Sequence, residues 1–407
     1  MIRKSIYLIL LLLSANRMVA QYYGTSLPAE NKVDIPFEFQ GKFIVINVTF
    51  ERLFPLRLIF DTGAEHTILT QRKIADMILA PYDRQISIMG ADMLTELYAD
   101  IARRVRLDLP GVEMQQDILV LGEDYFHLDE IMGEHIHGIL GASVFRNYVV
   151  KINYNQQVIT LYDPATFKVP TRKYTRHEIQ LDHNKPYINS RIQLSGDTSV
   201  QTRLLMDTGA GLSLLIYSNS YTGLVLPEHI LKANIGMGLG GYLEGYVGRV
   251  SEFEFCGYPF RHLITNFQDI SDIPDSTSYA GKQGIIGNDL LSRFNLILDF
   301  PGEVLYVKPN RHFKTNYNYD RSGISLIAAG TNLNKMIVSY VLENSPGNET
   351  GILEGDEIIS INGNPTAILR LNGCLDKLQG KPGKKIRLRI KRNGEKMVKV
   401  LVLRELI

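Results

Sequence analysis

Apolar and polar positions alternate strictly through Val33-Asp34-Ile35-Pro36-Phe37-Glu38-Phe39, a period of two that predicts a strand with one buried face. The following run, Phe43 to Phe50, is β-branched and aromatic and reads as a second strand. The same pair returns downstream as Arg176 to Leu181 and Tyr187 to Leu194. Two other apolar runs each end in an acidic residue: Leu56-Arg57-Leu58-Ile59-Phe60 before Asp61, and Arg203-Leu204-Leu205-Met206 before Asp207. A carboxylate at the end of a buried strand is costly unless something needs its charge. Strands dominate both halves. Short helical pieces are predicted after each of these aspartate segments, Thr70 to Leu79 in the first, and after each Gly-Ile-x-Gly described next.

These halves are copies of one another. Asp61-Thr62-Gly63-Ala64 recurs as Asp207-Thr208-Gly209-Ala210, and Gly138-Ile139-Leu140-Gly141 recurs as Gly284-Ile285-Ile286-Gly287. From Asp61 to Gly138 is 77 residues (138 − 61), and from Asp207 to Gly284 is again 77 (284 − 207). Each copy then leads into a hairpin-like pair of apolar runs, turning at Asn155-Gln156 and at Pro301-Gly302. A duplicated unit with matched aspartates implies that the two carboxylates meet. Between the two motifs each copy carries a glycine-bearing segment, Ile86 to Ala91 and Ile235 to Gly241, suited to a hairpin tip that lies against a ligand backbone.

The paired motifs resemble the aspartic peptidases over roughly Val33 to Pro309. Ala64 and Ala210, with Glu65 after the first, sit closer to the retroviral-type branch than to pepsin. The resemblance implies a dyad of Asp61 and Asp207. Thr62 and Thr208 would hydrogen-bond across the interface between lobes, and Gly63 and Gly209 would let the backbone turn tightly against the carboxylates. Gly90 and Gly238 fall in the two flap segments, and Glu65 would contact substrate backbone on one side only; a solvated surface glutamate is the other reading. Two carboxylates a few ångströms apart cannot both ionise, so the pair shares a proton. One member takes a proton from water as general base while the other hydrogen-bonds the scissile carbonyl. No metal, cofactor or covalent intermediate is implied.

After a polar, aromatic linker from Asn310 to Asp320 the pattern changes. Thr350-Gly351-Ile352-Leu353-Glu354-Gly355-Asp356-Glu357-Ile358-Ile359-Ser360-Ile361-Asn362-Gly363 resembles a PDZ domain, followed by a helix-like stretch from Ala367 to Leu378 and two strands, Lys385 to Arg392 and Lys396 to Leu403. Gly323, Ile324, Ser325 and Leu326 lie where such domains carry the loop whose amides receive a peptide's terminal carboxylate. Ser325 stands where a second glycine is usual.

With 407 residues, 45% hydrophobic and 21% charged, the chain has room for two or three domains of ordinary globular composition. A net charge of +1 points to neither nucleic acid nor an anionic membrane. Cys256 and Cys374 fall in different expected domains, so no disulfide is expected between them. Basic Met1 to Lys4, apolar Ser5 to Leu13 and small Ala20 before Gln21 have the layout of a secretory signal peptide. Export to periplasm, cell surface or medium follows, with no integral membrane segment after cleavage.

Other motifs weigh less. Gly236, Gly238 and Gly241 formally match a dinucleotide fingerprint, but the glycine-broken stretch after them does not continue as the helix that motif needs. His127, Glu134, His135 and His137 lack compact zinc-ligand spacing. No serine-nucleophile motif is visible. The expected fold is therefore all-β: two homologous aspartic-peptidase-like barrel lobes (33–170 and 171–309) after a signal peptide (1–20), followed by a PDZ domain (320–407) with short helices. The expected activity is hydrolysis of polypeptide by a monomer, with a peptide C-terminus as the PDZ ligand. The alternative is a catalytically inert peptide-binding protein with the same modules.

Overall fold

The computed structural model describes residues 23–26, 31–77, 82–90, 95–122, 127–170, 173–194, 199–220, 224–238, 241–271 and 281–407. The expected signal peptide lies outside these residues.

The described chain is mostly strand, in the bilobal arrangement expected from the duplication. In the first lobe the strand Phe54–Asp61 is central. It pairs antiparallel with Phe43–Phe50 on one side and parallel with Gly138–Gly141 on the other, so Gly141 lies opposite Asp61. In the second lobe Ser199–Asp207 pairs antiparallel with Lys185–Gln193 and parallel with Gly284–Gly287, so Gly287 lies opposite Asp207. The equal spacing of the motifs thus has a topological cause: each Gly-Ile-x-Gly is the neighbouring strand of its own aspartate strand. Each also pairs antiparallel with the short strand that follows the aspartate loop, Ile68–Leu69 or Leu214–Tyr217.

Alternation sets what the aspartate strands bury. Leu58 and Phe60 are fully buried in the first, and Leu204 and Met206 in the second. Phe60 packs edge-on against Phe145 at 4.8 Å, anchoring the strand end beneath the site. A third sheet joins the lobes. Its order is Thr175–Glu178, Val304–Pro309, Phe294–Asp299, Val149–Asn153, Val158–Tyr162, Lys32–Pro36, and the two hairpins meet at its centre, Val149 opposite Asp299. One apolar core runs through both lobes; a separate one fills the C-terminal module.

The helical expectations are met unevenly. Helix α1 (Arg72–Met77) follows the first aspartate loop, and residues 78–79 of the expected helix lie outside the described residues. The second copy departs from expectation: among the described residues from Gly211 to His229 there is no helix. There Ser220 Oγ donates to the Tyr217 carbonyl at 2.7 Å and Asn219 Oδ1 accepts from the Ile270 amide at 3.0 Å. Short polar side chains that bond nearby backbone offer it an alternative to helix. After the Gly-Ile-x-Gly strands come a 3-10 turn at Ala142–Val144 and helix α3 (Asn288–Leu291); α2 (Leu128–Met132) precedes the first of them.

Both glycine-bearing segments form hairpins. Tyr82–Met89 pairs with Glu96–Asp108, with Gly90 at the turn donating its amide to the Thr95 carbonyl at 2.8 Å. Ile230–Gly238 pairs with Gly241–Phe255, and Gly238 lies opposite Gly241 across the tip. The Gly236, Gly238, Gly241 stretch is therefore strand and turn, without the helix that phosphate binding needs.

The C-terminal module holds a sheet in the order Ile324–Ala329, Lys335–Val341, Glu357–Ile361, Lys385–Arg392, Glu395–Val402, with helices α4 (Pro346–Glu349) and α5 (Thr366–Leu378). Its Leu342 and Tyr340 share an apolar cluster with Leu231, Ile235 and Leu243 at the second hairpin. Among the described residues no helix is long and apolar enough to cross a membrane.

Candidate active site

The two Asp-Thr-Gly loops meet face to face where the aspartate strands end. Thr62 Oγ1 donates to the Met206 carbonyl at 2.6 Å, and Thr208 Oγ1 donates to the Phe60 carbonyl at 2.8 Å. Each hydroxyl also accepts the other threonine's amide at 3.1 Å. Both threonines are almost fully buried, so these four bonds are shielded from water and lock the loops in register. A β-branched side chain, stiff at χ1, holds its hydroxyl in the required direction.

The aspartates are held close by the glycines. A methyl group placed on Gly63 would lie 2.4 Å from Asp207 Oδ2, and one placed on Gly209 would lie 2.2 Å from Asp61 Cγ. Each carboxyl group therefore rests against the bare glycine of the opposite copy, and the two share a hydrogen bond. Asp61 Oδ1 accepts the Gly63 amide at 2.7 Å and the Ala64 amide at 3.0 Å. Asp207 Oδ1 accepts only the Gly209 amide, at 2.7 Å.

That asymmetry decides where the proton sits. Burial raises the affinity of both groups for protons. Asp207 is pushed well above the ordinary carboxylate range, by burial first and then by the neighbouring Asp61 charge and the hydrogen bond it donates to Asp61. Asp61 is raised less, because its bond from Asp207 and its two amides favour the anion. Lys185, at the start of the strand Lys185–Gln193, pulls both downward. The pair thus carries one proton, mainly on Asp207, with the charge on Asp61.

A stability consequence follows. Both folded values stand above the unfolded ones, so the folded state binds protons more tightly and stability falls as pH rises from about 3.8 through the folded values. Asp207→Asn removes the larger shift while its amide can still donate to Asp61. We expect the variant to melt about 2–4 °C higher than the unchanged chain at pH 7, the effect of ~1 kcal/mol in a domain of this size, and no higher at pH 3. Calorimetry at the two pH values checks this; an equal difference at both would contradict it.

The loops are braced from outside. The Ala142 amide donates to the Ala64 carbonyl at 2.8 Å, and the Asn288 amide donates to the Ala210 carbonyl at 2.7 Å. Both flap hairpins root here: Ile86 and Ile88 share an apolar cluster with Ala64, and Leu231 and Ile235 share one with Leu212. Glu65 is half-buried, 3.7 Å from His66 Nε2.

The histidine and acid residues weighed as metal ligands serve other contacts. His137 Nδ1 accepts the Arg57 amide at 3.0 Å, and its repeat counterpart Gln283 accepts the Arg203 amide at 2.6 Å with its side-chain oxygen. Glu134 pairs with Arg57 at 2.7 Å, and His135 pairs with Asp129 at 2.8 Å. Cys256 and Cys374 are both buried and unpaired with each other.

Sequence reasoning missed the clasp between the lobes around Asn288. This fully buried side chain donates to the Lys42 carbonyl at 2.8 Å and accepts the Tyr154 hydroxyl at 2.6 Å, while Lys42 pairs with Asp289 at 3.2 Å. A signal existed: Asn288 breaks the repeat, standing where the first copy has Ala142.

In the C-terminal module the strand Ile324–Ala329 lies at the sheet edge beside α5. A family model described as a PDZ domain matches residues 337–392. The C-terminal module is a PDZ domain. Its amides at the expected carboxylate loop are partly taken: Gly323 donates to Asp320, and Ile324 donates to Ser322 Oγ at 3.1 Å. Ser325 and Leu326 belong to the edge strand itself. Among solved structures the chain is similar to an aspartic proteinase from Irpex lacteus, at 16% identity and a TM-score of 0.41, covering 70% of this chain and 99% of that one. It is also similar to the photosystem II D1 C-terminal processing protease, at 19% identity and a TM-score of 0.20, covering 21% of this chain and 23% of that one. No curated protein matches in a search by sequence.

Proposed function

We propose that the chain is an exported aspartic-type endopeptidase, with lobes at 33–170 and 171–309 and the PDZ domain at 320–407. The observation that carries this is the seating of each aspartate against the other copy's glycine, with a hydrogen bond between them. Two carboxyl groups so placed can polarise one water from both sides. Asp61, the anion, takes a proton from that water as it attacks the peptide carbonyl. Asp207, protonated, donates a hydrogen bond to the carbonyl oxygen as charge develops there. An extended peptide would lie across the dyad under the hairpins carrying Gly90 and Gly238. Export rests on the amino-terminal pattern of Met1 to Ala20.

The test is cleavage of denatured casein from pH 3 to 8, with and without pepstatin. Activity needs Asp61 ionised and Asp207 protonated, so it falls as pH drops through the raised Asp61 value and again as pH rises through the higher Asp207 value. The acid limb should therefore lie above the ordinary carboxylate value of 3.8. A pepstatin-insensitive activity, or a rate that climbs steadily to pH 8, would sink this reading.

A further inference from the structure

The groove between the PDZ edge strand and α5 is not empty: the first lobe reaches into it. Helix α2 packs along Ile324–Ala329, the same strand that α5 packs on. It ends at Gly133, which has a left-handed backbone (φ 67). A methyl group on Gly133 would lie 2.8 Å from Leu371 Cβ on α5 and 3.7 Å from Ala328 Cβ on the edge strand. Both partners are buried, Ala328 at 0% and Leu371 at 2% exposure. The Gly133 backbone therefore lies between strand and helix, where an added peptide strand would run. Only a residue without a side chain fits, and only with positive φ. Gly41, in the turn before Phe43–Phe50, lies against α5 nearby: a methyl there would be 3.9 Å from Asn372 Oδ1 and 3.9 Å from Met132 Cε.

The other side of this segment bears on the catalytic strand. Met132 and Ile136 are buried in one cluster with Val45 and Ile59, and Ile59 is two residues from Asp61. Arg57, on the same strand, pairs with Glu134 at 2.7 Å and donates its amide to His137. Within the segment, Asp129 accepts the Ile136 amide at 2.7 Å and pairs with His135, which makes it one compact unit. The same ten residues thus touch the PDZ groove on one side and the strand bearing Asp61 on the other.

We propose that the Leu128–Gly133 turn is an intramolecular ligand of the PDZ groove, and that a peptide segment competing for the groove expels it and loosens the strand that carries Asp61. The competitor is an internal, apolar stretch of polypeptide rather than a chain end. Two of the amides that would receive a terminal carboxylate are taken by Asp320 and Ser322, and a second carboxylate there would meet the Asp320 charge. The present occupant is itself internal chain.

The full chain with Gly133→Asn provides the test. Asparagine tolerates the left-handed backbone, but its side chain enters the space of Leu371 and Ala328. Amide hydrogen exchange is expected to speed up at least about tenfold in Ile324–Ala329, Thr366–Leu378 and Phe54–Asp61 together. Unchanged exchange in the edge strand and α5 would overturn the plug. Acceleration there with an unchanged Phe54–Asp61 would overturn the coupling. A second variant, Gly133→Cys with Leu371→Cys, covers the case in which the first fails to fold: mild oxidation should join the two cysteines and slow exchange in all three segments, and failure to cross-link overturns the placement. Only the effect on activity rests on the proteolytic reading. Casein cleavage should fall at least about fivefold in Gly133→Asn. If the unaltered chain cleaves nothing, that reading fails, while exchange and cross-linking still decide the plug.

Discussion

Asp61→Asn is expected to lower kcat/KM for casein by about 10³-fold or more, with the fold intact. The asparagine oxygen can still accept the Gly63 and Ala64 amides that Asp61 Oδ1 holds at 2.7 and 3.0 Å. What it cannot do is take a proton from water, and general-base assistance is worth roughly 10²–10⁴-fold. Asp207→Asn should cost a similar factor for a different reason: it keeps a donor toward the carbonyl but cannot pass on a proton. Because the two act as one unit, the double variant should be little worse than either single one. Steady-state kinetics on the three proteins, beside their melting curves, checks this. Asp61→Asn activity within tenfold of the unaltered chain would remove the dyad from the chemistry.

Gly284→Ala is expected to destabilise the second lobe by about 3–5 kcal/mol, at the large end for a single methyl. A methyl there would lie 2.0 Å from the Leu215 carbonyl oxygen and 3.0 Å from its carbon. The obstacle is backbone, held by the pairing of Gly284–Gly287 with Leu214–Tyr217, so it cannot rotate away as a side chain would. Gly138 meets the Ile68 carbonyl oxygen at the same 2.0 Å in the first lobe. Gly257→Ala is the control. Its φ is +79 but nothing lies within 4 Å of the added methyl, so it reports the backbone penalty alone, about 1 kcal/mol. Urea denaturation followed by tyrosine fluorescence measures both. Equal midpoints for the two variants would mean that the strands give way, and that the repeated glycine has some other cause.

These glycines show how the sequence can be read. Gly-Ile-x-Gly was visible as a spacing without a reason; the reason is a strand threaded between two others with a carbonyl against its first residue. The same holds at the dyad. Asp-Thr-Gly, twice, behind apolar runs, was enough to pair Asp61 with Asp207 and to direct the threonine hydroxyls across the interface, because few arrangements satisfy two buried carboxylates in duplicated strands. Which aspartate keeps the proton was not legible, since it depends on one amide more at Asp61 than at Asp207.

His137 and Gln283 make the limit clear. The repeat offset showed that histidine was not required at that position, yet only the structure shows both side chains accepting the amide of a matched arginine. Local pattern set the strands, the two hairpins, the duplicated aspartate strands and the change of module after Asp320, because periodicity, turn residues and repeat spacing are properties of neighbouring positions. Tertiary structure alone decided the asymmetry of the dyad, the missing second helix, the Asn288 clasp and the seating of Gly133 against Leu371. Each depends on groups far apart in the chain, whose distances are set by packing and leave no mark on local composition.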